Sequence, residues 1–428
     1  MQEQKKIKWC AIQPLTGGMY LGTEKAIGHP AEFILSFKGL GDEKLDKKGN
    51  FMSCGNEYHL MKYLDKVGRR PEYKVIDKPM FQDSNDVNPP LIDSQWTLNP
   101  GKDPDFSGID VAVAVPVCSG LSTATRGASD KLWEKNCNMI WITRYVLNTI
   151  KPHIYIFENA PTFMAARGEM VRFEIENIAR STGYSICYYK TDTMYHDNCQ
   201  SRKRTFIIFF DRGYCPKVGY EHMECSIKDY LDRIPADATQ REPLDILNIN
   251  PIAFFSVDYC INKLGPNWRQ DINNNVFTWL YKNKKLEEVK CHVKESDLDE
   301  RAKERTLRWF THFEAKAADG KGVYAALPYI PTTHVPSVMF KSMAGLVHPY
   351  EDRFCSAREF LSFMGMPYDF ELQGNPNKMF GQIGQNVPAR TAYWIVKNAI
   401  DNYDNENDKP LSIRFFNNIK QVEEKYVP

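Results

Sequence analysis

The chain has 428 residues, 43% hydrophobic and 25% charged, with a formal net charge of +1. Two lobes with separate cores are expected, because a single hydrophobic core stops growing well below this length. No apolar run approaches the roughly 20 residues of a membrane helix, and near-neutrality means that any surface built for a polyanion must be local.

The start, MQEQKKIKWCAI, lacks the long apolar core and small-residue cleavage site of a secretory signal, so a cytoplasmic, nucleoid-associated protein is expected. Eleven cysteines, an odd number and mostly inside apolar stretches, fit reduced thiols better than a disulfide framework. None has zinc spacing, and no metal is expected.

From 7 to about 210 short apolar runs alternate with helical stretches, the pattern of a mostly parallel sheet with helices on both faces. A first strand over 7–12 leads into Thr16-Gly17-Gly18-Met19-Tyr20-Leu21-Gly22, which opens a helix. Glycines at that place let the backbone approach a cofactor closely, although a lone Gly-Gly is a weak signal. The stretch 38–104 is rich in Gly, Asp, Asn and Pro and reads as loops, with one helical island over 57–67.

The run Val111-Ala112-Val113-Ala114-Val115 is a clear strand and continues into Pro116-Val117-Cys118-Ser119-Gly120. Side chains at the carboxyl end of a parallel strand face the crevice in which ligands of open α/β sheets bind. A free cysteine is most often a buried structural thiol, but Pro116 before Cys118 and Ser119-Gly120 after it predict an exposed turn. A helix over 130–150 then ends at Lys151-Pro152, because proline cannot continue it.

The next strand, over 154–157, runs into Glu158-Asn159-Ala160-Pro161, which places an acid and an amide at the same edge of the same sheet. Glu158 alone would be a solvated or cap-forming residue. Beside a cysteine it becomes a candidate proton donor. A helix over 169–182 stops at Gly183, and Gln200-Ser201-Arg202-Lys203-Arg204 leads into a strand over 205–210. Residues 202 and 204 of an extended segment point to one face, so both guanidinium groups can converge on one anion or carbonyl, unless the segment is simply a solvated basic edge.

From 211 to 334 the α/β rhythm is lost, with a polar turn at Asn273-Asn274-Asn275 and a charged helix over 296–313. This segment reads as an inserted, smaller and irregular domain. Helical patterns return over 356–364 and 389–402, so the C-terminal segment is expected to fold back onto the first domain. The resulting division is 1–210 with 335–428, and 211–334.

The order of these elements, together with Gly381-Gln382-Ile383-Gly384-Gln385-Asn386-Val387-Pro388, resembles the DNA cytosine-5 methyltransferase family. The Cys118 turn looks like the family's nucleophile loop, Glu158-Asn159-Ala160 like its Glu-Asn-Val motif, and Gln200 to Arg204 matches Gln-x-Arg-x-Arg in full. The segment 351–370, with Arg353, Arg358-Glu359 and Gly365-Met366-Pro367, resembles the stretch before the last motif. The resemblance covers nearly the whole chain except 211–334, which takes the place of a target-recognition domain.

The resemblance implies a Rossmann-like fold that transfers a methyl group from S-adenosyl-L-methionine to carbon 5 of a flipped-out cytosine in double-stranded DNA. Cys118 would add covalently at carbon 6, Glu158 would protonate or hydrogen-bond ring N3, and Asn159 would position the cysteine loop. Arg202 and Arg204 would hold the cytosine carbonyl, the cysteine loop or a nearby phosphate. Thr16, Gly17, Gly18, Met19, Pro116, Gln385, Asn386 and Val387 would line the cofactor pocket. Glu57 would take the ribose hydroxyls, with Glu32 and Asp77 as further candidates.

The protein would act as a monomer. The Arg/Lys-bearing helix near 301–308 would touch DNA, if it is not simply a solvated face. Two departures stand out. The family's Phe-x-Gly-x-Gly is here Gln13-Pro14-Leu15-Thr16-Gly17, and Pro-Pro-Cys-Gln is here Pro116-Val117-Cys118-Ser119. The alternatives are the same fold acting on RNA or a modified cytosine, a donor of another group, or a catalytically weak DNA-binding homologue.

Overall fold

The computed structural model describes residues 6–37, 57–76, 105–116, 132–213, 215–216, 223, 225–272, 275–320, 334–335, 346–372, 376–404 and 413–417. By their contacts they divide into two compact units, one of 1–198, 202–224 and 386–428, the other of 199–201 and 225–385.

The first unit is built on a mixed eight-stranded sheet with the order β3-β2-β1-β4-β5-β7-β6-β8. Its strands are β1 (Trp9–Ile12), β2 (Phe33–Phe37), β3 (Glu72–Ile76), β4 (Val111–Ala114), β5 (Ile154–Asn159), β6 (Ser185–Asp192), β7 (Lys203–Phe210) and β8 (Ile413–Asn417). β1, β4 and β5 are buried at every position, which is why they read as continuous apolar runs and not as alternation. β7 runs antiparallel to both β5 and β6. The chain leaves β1 toward β2 on one side, whereas β4 lies on the other. That reversal is the topological switch point at which such sheets bind ligands.

Among the described residues the sheet is accompanied by helices α1 (Gly18–Ile27), α2 (Tyr58–Lys66), α3 (Leu132–Tyr145), α4 (Glu169–Thr182) and, from the C-terminal segment, α14 (Ala389–Asp401). α4 has the bounds its periodicity predicts and is closed by Gly183 at φ 80. α3 continues into a π-helical turn, Val146–Ile150, and Lys151 at φ 53 ends it ahead of Pro152. α14 lies so close along α1 that a side chain at Gly22 would collide with the Ala389 carbonyl oxygen.

The second unit is helical among the described residues. It comprises α5 (Ile227–Asp232), α6 (Ile246–Ile249), α7 (Pro251–Leu264), α8 (Trp268–Asp271), α9 (Val276–Lys282), α10 (Leu286–Glu295), α11 (Glu300–Ala318), α12 (Ala357–Phe363) and α13 (Pro376–Gln385). What reads in sequence as lost rhythm is a change from strands to short, side-chain-capped helices. Ser226, Asp245, Asn250, Asn275, Asp299 and Ser356 each accept a backbone N–H at a helix start. Their apolar faces meet in a core that includes Phe255, Trp268, Phe277, Val289 and Phe310. Of the predicted turn at 273–275, Asn273 and Asn274 lie outside the described residues.

The boundary differs from the one at 334, because the second unit runs to Gln385. The reason is a set of polar ties between the insert and 346–372. The Arg358 guanidinium, 1% exposed, donates to the carbonyls of Thr239, Pro367 and Phe370 at 2.9, 3.0 and 2.6 Å. Gln240 and Leu372 exchange two bonds, and Arg269 grips the carbonyls of His348, Pro349 and Glu351. Among the described residues of the C-terminal segment, α14 and β8 return to the sheet. Among the described residues no helix is long and apolar enough to cross a membrane.

Candidate active site

The parallel register aligns Ile12 with Ala114 and Ala114 with Phe157. The residues that follow these strands therefore leave the sheet side by side: Gln13 to Gly17 after β1, Val115-Pro116 after β4, and Ala160-Pro161 after β5, whose own last residues are Glu158 and Asn159. Val115 and Pro116 are buried. Cys118 follows directly but lies outside the described residues, as do all of 117–131.

Glu158 stands opposite Phe206 on β7, so Arg204 is its diagonal neighbour on the same face of the antiparallel pair. The Arg204 Nε is 2.5 Å from Glu158 Oε1, with the two side chains 12% and 7% exposed. A carboxylate and a guanidinium this dry hold each other in one orientation, and sequence reasoning did not foresee the pairing. Its signal is the antiparallel register, which no motif spells out. Arg202 precedes β7, is 2% exposed, and is fixed through its backbone, its N–H donating to Asp192 Oδ1 at 2.8 Å and its carbonyl accepting from Thr193. The Arg204 guanidinium is engaged with Glu158 through Nε, and its Nη1 donates to the Lys203 carbonyl at 2.7 Å.

Asn159 is fully buried. Its Nδ2 donates to the Met139 sulfur at 2.9 Å and its Oδ1 accepts from the Ala160 N–H at 2.9 Å. It thereby ties the end of β5 to α3, the helix that follows the cysteine segment. Gln200, in the second unit, donates to the Met364 sulfur at 3.1 Å.

The turn after β1 carries an unusual backbone. Gln13 and Leu15 adopt φ 48 and φ 52, and Gly17, which caps α1, φ 110. Only the last is conformationally free there. Leu15, at the place of the family motif's first glycine, thus holds a left-handed backbone although it is not a glycine. Thr16 and Met19 are buried. A side chain at Gly17 would stand 2.6 Å from Leu60 of α2, and one at Gly18 would collide with the Val387 carbonyl oxygen.

The Gly18 N–H, at the start of α1, donates to Asn386 Oδ1 at 2.8 Å. Asn386 and Val387 are thereby brought onto the glycine turn from 368 residues away. Gln385, the last residue of α13, is exposed and belongs to the other unit.

Glu57 caps α2, which packs on Gly17 through Leu60. It is 7% exposed, and its Oε2 accepts from the Tyr73 hydroxyl at 2.6 Å. Glu32 is exposed and precedes β2, at the amino end of the strand and away from the crevice. Asp77 lies outside the described residues. Burial pushes up the thiols of Cys10, Cys199, Cys260 and Cys355, and raises Cys225 to about 11. None of these five is a ready thiolate near neutral pH.

A carboxyl group held by an arginine thus stands at the carboxyl edge of the parallel strands, on the same edge as a glycine turn to which the C-terminal segment is bonded. The model of the C-5 cytosine-specific DNA methylase family matches residues 82–401, and the chain belongs to that family. It is a methyltransferase of that class.

Among solved structures, one that resembles it is a candidate DNA modification methyltransferase encoded within an E. coli prophage. That likeness has a TM-score of 0.51 at 16% identity and spans 92% of this chain and 99% of that one. The Entamoeba histolytica methyltransferase EhMeth aligns at a TM-score of 0.48 and 12% identity, over 93% and 99% of the two chains. The S. pombe Dnmt2 methyltransferase aligns at 0.47 and 12%, over 94% and 100%. No curated protein matches the chain in sequence.

Proposed function

We propose that the chain methylates carbon 5 of cytosine in double-stranded DNA, with S-adenosyl-L-methionine as donor and Cys118 as covalent nucleophile. The observation that carries this reading is the Glu158–Arg204 pair, 2.5 Å apart at the crevice edge, next to the strand that leads into Cys118.

Carbon 5 of cytosine is a poor nucleophile. Addition of the Cys118 thiolate to carbon 6 forms an S–C bond and moves the electron pair toward carbon 5, which becomes enamine-like. The Glu158 carboxyl meets ring N3 and supplies the proton or hydrogen bond that this shift demands. Arg204 aims that carboxyl, and Asn159 ties β5 to the helix that follows the cysteine segment. Loss of the carbon 5 proton after transfer lets the thiolate leave and restores the aromatic ring. The target base must leave the duplex, because neither of its faces is accessible while it is stacked.

The residues fit the donor. Gly17 and Gly18 let the turn pack directly against Leu60 and Val387, where a Cβ would collide, Glu57 offers a buried carboxylate suited to a pair of ribose hydroxyls, and Asn386 and Val387 close the turn. Thr16, Met19 and Pro116 complete the lining in this reading. When bound, S-adenosyl-L-methionine supplies the electrophilic methyl group.

The test is incubation with labelled S-adenosyl-L-methionine and either DNA or RNA duplexes, followed by identification of the modified nucleoside by mass. Label in 5-methylcytosine of DNA, abolished by Cys118→Ala with DNA affinity largely intact, is expected. Label in RNA would replace the substrate, binding without transfer would indicate a non-catalytic homologue, and normal turnover by Cys118→Ala would end the covalent route.

A further inference from the structure

We infer that Gln13 is a cofactor-binding residue, its side-chain amide oxygen accepting a hydrogen bond from an N–H group of the methyl donor. This rests on the reading above that the donor is S-adenosyl-L-methionine.

Three observations converge on this residue. Gln13 directly follows β1 at the switch point, anchored by its own N–H to the Leu35 carbonyl of β2 at 2.9 Å. It is 3% exposed, yet its Oε1 has no hydrogen-bond partner among the described residues. Its backbone, like that of Leu15, is left-handed, with Pro14 between them.

An unsatisfied buried acceptor and two strained non-glycine residues within three positions both destabilise the empty protein. Such features persist where the strain serves a site, and this turn is the one that lies against the donor in the family reading. The family's aromatic residue at this position can stack on a ligand or attract a cation but carries no carbonyl-type acceptor. An amide oxygen instead demands a donor.

S-adenosyl-L-methionine carries N–H groups at two places, the amino group of its adenine and the ammonium of its methionine part. Either can meet a carbonyl-type oxygen, and both belong to the same ligand chemistry. An ordered water could satisfy the atom as well, and the experiment is chosen to separate that case.

The full chain is compared with Gln13→Leu, which removes the acceptor at similar volume, and with Gln13→Met as a second apolar replacement. Calorimetric binding of S-adenosyl-L-methionine and S-adenosylhomocysteine is measured alongside thermal unfolding without ligand. The expected result is binding weakened about tenfold or more in both variants, with ligand-free melting temperatures equal to or above native. A residue that merely supports the fold would give the opposite, lower melting temperatures.

Two analogues then locate the donor. One carries a dimethylated adenine amino group, the other lacks the ammonium. The analogue missing the relevant N–H should bind native protein and Gln13→Leu equally. If Gln13→Leu and Gln13→Met bind S-adenosylhomocysteine as tightly as native, the oxygen serves only a water and the inference falls. If native protein binds neither S-adenosyl-L-methionine nor S-adenosylhomocysteine, the proposed function itself fails, a result distinct from a variant-specific loss.

Discussion

Arg204 reaches diagonally across two antiparallel strands to place its Nε 2.5 Å from the Glu158 carboxylate, with both side chains nearly dry. Breaking such a pair leaves one uncompensated buried charge, which costs about 3–5 kcal/mol. Arg204→Met is therefore expected to destabilise the first unit by that order, and Glu158→Gln by less, because the amide keeps its shape and an acceptor. The double replacement Glu158→Leu with Arg204→Met should recover much of the stability. Methyl transfer should fall about a hundredfold or more in either single variant. Urea unfolding of native protein, Glu158→Leu, Arg204→Met and their double replacement as a double-mutant cycle checks the coupling. Additive losses would show that the pair holds nothing in place.

Gly18 and Gly22 both press on the C-terminal segment, but only Gly18 sits in the cofactor turn. A methyl at Gly18 would collide with the Val387 carbonyl oxygen and disturb the 2.8 Å bond to Asn386, and one at Gly22 would collide with the Ala389 carbonyl oxygen. Each alanine should destabilise by about 1–3 kcal/mol through overpacking. At a temperature where both variants are folded, Gly18→Ala should lose affinity for S-adenosylhomocysteine while Gly22→Ala keeps most of it. Equal loss in the two would mean that α14 seating, not the turn, governs binding.

Much of this sheet is legible in the sequence. The runs at 111–115, 154–157 and 205–210 announce buried strands because apolar residues occupy both faces, and each strand appears within a few residues of its expected place. β6 escapes notice because its apolar run is only four residues long and is bounded by Ser185 and by Lys190, Thr191 and Asp192. β2, β3 and β8 are short, and β3 lies at the sheet's edge.

The site is legible in its parts and not in its pairings. Glu158 and Arg204 carry recognisable motifs 46 positions apart, but their contact depends on β7 inserting antiparallel beside β5. In the same way the Gly18–Asn386 bond follows from the path of the whole chain, and no local rule contains it. The helical second unit is obscured in sequence because most of its helices, α7 and α11 apart, are short and offer too few turns for a 3.6-residue period to stand out.

α11 offers a test of the nucleic-acid face. Arg301, Arg305 and Arg308 are all exposed at i, i+4 and i+7, without an ion pair among the described residues, whereas Lys303 is taken by Glu300 at 3.1 Å. Like charges at this spacing weaken a helix by about 0.2–0.5 kcal/mol per pair, and Trp309 beside them is 40% exposed. If these arginines touch phosphates, replacing them with glutamine should weaken DNA binding evenly across sequences. It should also reduce the slope of log affinity against log salt by about one for each phosphate no longer neutralised. An unchanged slope would remove α11 from the interface.

His348 sets a pH dependence in the second unit. It is 4% exposed, its Nδ1 accepts from the Tyr350 N–H at 3.3 Å, and its Nε2 is 3.6 Å from Glu359. Burial lowers its pKa. Glu359 and Glu351 oppose that shift, while Arg353 and Arg269 reinforce it. Because the folded value lies below the unfolded value of about 6.5, the unfolded chain binds more protons as pH falls through that value. The contribution of His348 to stability is therefore full above it and declines below it. Thermal unfolding between pH 5 and 7.5 should show a steeper acid-side loss for native protein than for His348→Gln, in which an amide replaces the titrating ring. Parallel curves would show that the imidazole takes up its proton equally readily in the folded and unfolded states, so that its burial carries no penalty.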